Sequence, residues 1–192
     1  MKLGLPHILR KIYILKLLCC YIFLFLLFSC NNISYRDRLL RDNINKKACL
    51  DFVDYIYQNE EQYSLKQIRL SYDFLAIVFL QLDCNSCYEK YKKWNELFKE
   101  KNCAVLFVVG GANMAKFKKE FVSSVEIKPY AFVFSDEHLE YLKQNMKIPW
   151  SVINSTILID SRNNIKIIGS PFTSAEIAKL YHEICVDRNH NN

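Results

Sequence analysis

The sequence predicts an α/β domain with a mixed central sheet flanked by helices, and three observations carry that expectation. Two uninterrupted apolar runs, 74–80 and 103–109, read as strands buried on both faces. Stripes of apolar residues at three- and four-residue spacing follow each of them, the pattern of helices that cover a sheet. Near the end, two short apolar segments are split by the polar turn Ser161-Arg162-Asn163-Asn164, and a last helical pattern follows. Strand-helix alternation that closes on a hairpin requires both parallel and antiparallel pairing.

Ahead of this domain, Lys2, Arg10, Lys11 and Lys16 precede an uncharged segment at 17–29, and the first acid is Asp37. A spanning helix needs about 20 apolar residues. This run is shorter and ends at a small residue, so it reads as a cleaved export signal. Leu27-Phe28-Ser29-Cys30 resembles a bacterial lipobox, in which Cys30 is acylated and becomes the first mature residue. The expected organisation is a lipoprotein signal peptide at 1–29, a lipid-anchored polar tether at 30–46 and one domain at 47–187. Four of the 26 basic residues and none of the 20 acids lie before Cys30, which leaves a mature excess of only two. The basic character is thus mostly a targeting signal and gives no support to nucleic-acid binding.

The eight cysteines sort by position. Cys19 and Cys20 leave with the signal and Cys30 takes the lipid, leaving Cys49, Cys84, Cys87, Cys103 and Cys185. Five thiols cannot all pair, which fits one redox-active pair plus buried singles better than a disulfide framework. Cys103, opening a buried run, is expected as a small core residue, and pairing between Cys49 and Cys185 is disfavoured.

Taken in order, residues 47–58 read as a helix with Leu50, Val53 and Tyr57 on one face, and 74–82 as a buried strand. The next helix opens at Cys84-Asn85-Ser86-Cys87 and carries Cys87, Tyr88, Tyr91, Trp94, Leu97 and Phe98 as a core-facing stripe. The strand at 103–109 stops at Gly110-Gly111, and Met114, Phe117 and Phe121 mark a further helix. A third strand is expected at 130–134, a short helix at 137–146, and hairpin strands at 156–160 and 165–168. Thr173 and Glu176 form a capping-box signature ahead of Ile177, Leu180, Tyr181 and Ile184.

The cysteine pair carries the chemistry. Cys84 falls at a helix start, where free N–H groups and the macrodipole favour thiolate. Cys87, one turn later, is within reach to close the ring and release a mixed disulfide. Zinc at this pair would need two further ligands, and His138 and His182 show no ligand spacing. A copper-delivery site would want a wider cysteine spacing and a placed histidine. The aromatic stripe is core packing, since no Arg or Lys cluster accompanies it on a sheet face.

The order strand, C-x-x-C, helix, strand, helix, strand, helix, hairpin, helix resembles the thioredoxin fold. With the lipid anchor and the Thr-Ile-Leu-Ile-Asp strand at 156–160, it is similar to the TlpA/ResA-like thiol-disulfide oxidoreductases, over about 71–185. The resemblance implies that Cys84 is the exposed nucleophile and Cys87 the buried resolving thiol, with no cofactor or metal. It also implies two departures. The family's tryptophan before the first cysteine is replaced by Asp83, whose charge opposes ionisation of Cys84. The family's cis-proline before the hairpin aligns with Asn154, where a cis bond would cost roughly 3 kcal/mol, so the substrate groove is altered.

The function expected is that of an envelope lipoprotein exchanging disulfides through Cys84 and Cys87. Its partners would be protein thiols or disulfides, an electron donor across the membrane, and the membrane itself through lipid on Cys30, with the outer membrane preferred because Asn31 offers no acidic retention residue. The alternative is a binding lipoprotein that keeps the fold and uses the Asn154 groove without catalysis. A peroxidase is disfavoured, because the usual upstream Thr and helix Arg are missing around Cys84.

Overall fold

The computed structural model describes residues 16, 35–59, 61–81, 85–98, 102–111, 115, 119, 127–153 and 155–186. The chain divides into two compact units, Met1–Arg38 and Leu39–Asn192, and the sheet with the helices packed on it belongs to the second. The 17–29 segment, Cys30 and the helix expected around Met114, Phe117 and Phe121 lie outside the described residues apart from isolated positions. No helix among the described residues is long and apolar enough to cross a membrane.

The elements run α1 Tyr35–Asn43, β1 Ile56–Gln58, β2 Glu61–Tyr63, α2 Leu65–Ser71, β3 Phe74–Gln81, α3 Asn85–Asn95, β4 Cys103–Gly110, β5 Ala131–Asp136, α4 Glu140–Gln144, α5 Trp150–Ile153, β6 Ile157–Asp160, β7 Ile165–Ile168 and α6 Ala175–Val186. The strands form one mixed sheet in the order β2-β1-β5-β4-β3-β6-β7. β3, β4 and β5 are parallel, while β1 and β6 join them antiparallel. The two uninterrupted apolar runs are the central strands β3 and β4, buried from both sides.

One face of the sheet receives α3 and α6. Cys87, Tyr91, Trp94 and Phe98 follow helical spacing and pack with Val78, Val105, Phe107, Leu158 and Tyr181. On the other face, Leu50, Val53, Ile56, Ile68, Leu142 and Val152 cover Ile77, Leu106 and Ile159. The hairpin β6–β7 turns on Asp160. Its Oδ1 accepts the backbone N–H groups of Arg162 and Asn164, each at 2.9 Å, and Asn163 takes the left-handed conformation at φ 66°. Burial pushes the Asp160 carboxyl up, but the Asn164 side chain and backbone, the Arg162 N–H and Lys166 outweigh it and hold the group below the usual aspartate value.

Several expectations change. Residues 47–58 are not a helix: Lys47 makes an isolated bridge to Asn164, a single turn follows, and 56–58 are β1. Of the expected face, Leu50 and Val53 are buried and Tyr57 is half-buried, with Ile56 beside it fully buried, because a turn and a strand between β2 and β5 bury those residues as well as a helix would. The α6 cap shifts by one residue. Ser174 Oγ accepts the Ile177 N–H at 3.4 Å and bonds Glu176, while the Thr173 hydroxyl donates to the Ser170 carbonyl at 2.7 Å. A capping box does occur at the start of α2, where Ser64 Oγ accepts the Gln67 N–H and Gln67 Oε1 accepts the Ser64 N–H. In the stretch expected as a polar tether, α1 is helical, and Leu40 and Ile44 pack against the core ahead of Lys47.

Cys103 is the largest correction. It is not a single core thiol but is disulfide-bonded to Cys185, with Cα atoms 5.6 Å apart. Both residues are buried. Their separation of 82 residues hid the pairing from any local pattern, and only the docking of α6 beside the start of β4 brings them together. Cys49 stands elsewhere, half-buried, with its backbone N–H on Asn145 Oδ1 at 2.8 Å.

Candidate functional site

The parallel strands end in one row, because Gln81 is in register with Gly110 and Gly110 with Asp136. Carboxyl ends of parallel strands, with helices starting beyond them, are where α/β sheets bind and react. Here α3 leaves β3, Gly111 turns the chain after β4 at φ +74°, and Leu139 turns it after β5.

Cys87 sits in the first turn of α3 and points into the core beside Val78 and Tyr91. It is 8 % exposed, the burial expected of a resolving rather than an attacking thiol. Asp83, Cys84 and Asn154 lie outside the described residues. The two residues that bracket them are placed: Gln81 ends β3, and Ser155 donates its N–H to the Val152 carbonyl at 3.1 Å. The start of the β6–β7 hairpin lies beside the carboxyl half of β3 through the Ile77↔Ile157 pair, and α3 leaves the carboxyl end of the same strand.

Two polar groups there carry no sequence motif. Lys90, one turn beyond Cys87, donates from Nζ to the Phe79 carbonyl at 3.1 Å. β6 pairs with β3 only as far as Ile77↔Ile157, so Phe79 lies past the last β6 partner. Thr156 is 2 % exposed, and its hydroxyl has no hydrogen-bond partner among the described residues. An ammonium one turn after a C-x-x-C was the only available signal for either.

Around this end the packing is tight on one side and open on the other. A Cβ on Gly110 would lie 2.5 Å from Phe79 Cζ and 2.9 Å from Leu139 Cδ2, so a larger residue would have to displace both side chains. Leu139 itself is left-handed at φ 57°, ψ 36°. Asp136 holds it there, accepting the Glu140 N–H at 2.7 Å and the Tyr141 N–H at 2.8 Å. Beside it, Leu142, Met146, Ile148 and Trp150 line an apolar concavity of about 440 Å³. Burial pushes the hydroxyls of Tyr91, Tyr141 and Tyr181 far above the usual tyrosine value, so these groups stay neutral.

No protein-family model and no curated protein matches the chain. Solved structures do. A protein assigned as the thiol:disulfide interchange protein DsbE from Chlorobium tepidum aligns over 73% of this chain and 94% of its own, at 16% identity and a TM-score of 0.51. A cysteine-to-serine mutant of PrxQ from Xylella fastidiosa aligns over 74% and 97%, at 13% identity and a TM-score of 0.50. The chain spans about half the length, 52%, of a thioredoxin-like protein from Bacteroides caccae that covers 78% of it, at 18% identity and a TM-score of 0.49. What such distant likenesses share is architecture: this chain has a thioredoxin-like fold, a mixed sheet flanked by helices.

Proposed function

We propose that this chain is an envelope lipoprotein that catalyses thiol-disulfide exchange through Cys84 and Cys87. The observation that carries the reading is Cys87, buried in the first turn of the helix that leaves the carboxyl end of β3, with a second cysteine three residues before it in the sequence. Cys84 thiolate attacks one sulfur of a protein disulfide, the substrate S–S bond breaks, and the departing sulfur takes a proton. Cys87 then loses its proton to solvent and attacks Cys84 Sγ, which closes the Cys84–Cys87 bond and frees the second substrate thiol. The substrate gains two electrons and the pair loses two, so an external thiol donor must recycle it. Asp83 raises the pKa of Cys84 in this reading, and Asn154 shapes the groove opposite the pair. The buried Cys103–Cys185 bond supports an oxidising compartment, where such cross-links persist. The protein is then anchored through lipid on Cys30 and faces the envelope, in keeping with the thiol:disulfide interchange role assigned to its Chlorobium neighbour.

The test is substrate trapping. Cys87→Ala should accumulate mixed disulfides on Cys84, which diagonal non-reducing gels resolve, and Cys84→Ala should accumulate none. Trapping by neither variant would refute exchange and favour a binding lipoprotein that keeps the fold.

A further inference from the structure

Large apolar side chains stand in solvent around α4 and α5. Met146 is 77 % exposed, Trp150 57 % and Leu139 37 %, and together with the buried Leu142 and Ile148 they line the concavity of about 440 Å³. Apolar residues exposed singly are ordinary, whereas several gathered around one hollow mark a surface that another molecule covers. Position and charge say what covers this one. Leu139, at its lip, reaches over Gly110 together with Phe79, and Gly110 is in register with Gln81, the last residue of β3 before the C-x-x-C segment. Trp150, on its other side, opens α5, which ends at Ile153 just ahead of the β6–β7 hairpin. Next to Leu139 lies a second hollow, bordered by Asp54, Tyr55, Glu137 and His138. Glu140 and Lys143 are tied to each other at 3.1 Å, while Asp54 and Glu137 are exposed and have no ion-pair partner among the described residues. Against these two acids stands the exposed Lys147, so the rim keeps a net negative charge.

We propose that this hollow seats a large apolar side chain of the substrate polypeptide, with a lysine or arginine next to it in the substrate facing Asp54 and Glu137. The role rests on the exchange reading, in which the disulfide of the same substrate meets Cys84 and Cys87. Neighbouring strands stand about 4.8 Å apart, so a chain crossing from the end of β3 over β4 to Leu139 covers about 10 Å, and its anchor falls roughly three to four residues from its reacting cysteine. The substrate class is therefore an extended, unfolded segment, because a folded domain keeps its large apolar side chains inside. An unbranched Met and a Trp at the mouth adapt to different apolar shapes, which suits many such segments rather than one. An anionic lipid surface would meet the two unpaired carboxylates and be repelled.

Binding, not turnover, is the test. A short peptide with serine in place of the reacting cysteine, benzoylphenylalanine about four residues on and lysine beside it is irradiated with the full chain in phosphatidylcholine vesicles. Mass spectrometry should place the cross-links on Met146 and Trp150. An unlabelled peptide with phenylalanine and lysine at those positions should suppress them, and forms with phenylalanine changed to serine or lysine to glutamate should need at least about tenfold more. Met146→Asp puts a charge at the mouth and should cut cross-linking about tenfold, without lowering the melting temperature, because that side chain is exposed. Asp54→Lys combined with Glu137→Lys should make the glutamate form the better competitor. Cross-links elsewhere, or competition indifferent to the loss of phenylalanine, overturn the proposal. So does protection of Met146 from peroxide by phosphatidylglycerol vesicles without peptide, which gives the face to the membrane, and so does protein trapping by Cys87→Ala that Met146→Asp leaves unchanged. Cross-links as expected while Cys87→Ala traps no protein would uphold the hollow as a polypeptide site and strike only at the exchange function.

Discussion

Leu139 occupies a backbone conformation that costs an L-residue about 1–2 kcal/mol, at the N-terminus of a five-residue helix and at the edge of the candidate site. What sustains it is one side chain. The Asp136 carboxylate takes both the Glu140 and Tyr141 N–H groups while the Asp136 carbonyl takes the Leu139 N–H at 3.2 Å, so the turn is closed from three directions. Asp136→Ala leaves two donors without acceptors and should lower unfolding free energy by about 1–2 kcal/mol, read from the urea midpoint. Asp136→Asn should recover part of the loss. An Asp136→Ala midpoint equal to the parent's would mean that Leu139 is held by its packing against Phe79 and Gly110 alone. The Ser64–Gln67 box shows the same logic in a form that could be read in the sequence, since both partners lie within one turn of each other. Asp136 could not be read so, because its role depends on where β5 ends.

At the scale of elements, α6 stands out as the helix fastened by a covalent bond. Tyr181 and Cys185 are its buried residues, with Ile177 and Ile184 half-buried, so its apolar stripe is narrow. Trp94 and Phe98 close on Tyr181 in edge and tilted contacts, and Phe172 meets Trp94 edge-on. The Cys103–Cys185 bond ties the last turn of this helix to the start of β4, at the end of the sheet opposite Cys87. β4 is eight residues long, about 26 Å at a strand's rise per residue, and the Cys103–Cys185 bond sits at its start, whereas Cys87 opens the helix that leaves the carboxyl end of the neighbouring β3. Replacing both Cys103 and Cys185 with Ala should lower stability by roughly 2–4 kcal/mol, seen as a lower melting temperature. Reductant should lower the melting temperature of the parent chain by a similar amount and leave the double variant unchanged. A double variant that melts with the parent would show that α6 is held by its aromatic contacts.

For the whole molecule, the question is where a reactive pair and a structural cross-link can coexist. On the proposed reading, an exported, lipid-tethered domain would meet both conditions: an oxidising compartment would keep Cys103–Cys185 closed, while an external thiol donor would keep Cys84 and Cys87 open. Lipidation at Cys30 is the element of this picture that a single substitution addresses. Cys30→Ser should abolish incorporation of a labelled fatty acid and shift the chain out of the membrane fraction, and labelling that survived the change would rule out the lipobox.

The amino-acid sequence by itself determined the central strands, the α3 stripe and the hairpin, because each is specified within a window of ten or so residues. A strand buried on both faces is a continuous apolar run, a helix on a sheet shows its spacing, and a tight turn shows its polar residues. It also named Cys87 as the inward thiol, since helical spacing puts that residue on the same face as Tyr91 and Trp94. Only the tertiary structure decided the rest. Leu50, Val53 and Tyr57 have the spacing of a helix, yet pairing with β2 on one side and β5 on the other draws Ile56–Gln58 into the sheet. Cys103 and Cys185 look like unrelated residues until α6 docks. Thr156 is buried with its hydroxyl unpartnered among the described residues, because its burial depends on how the hairpin docks beside β3, which no local pattern encodes.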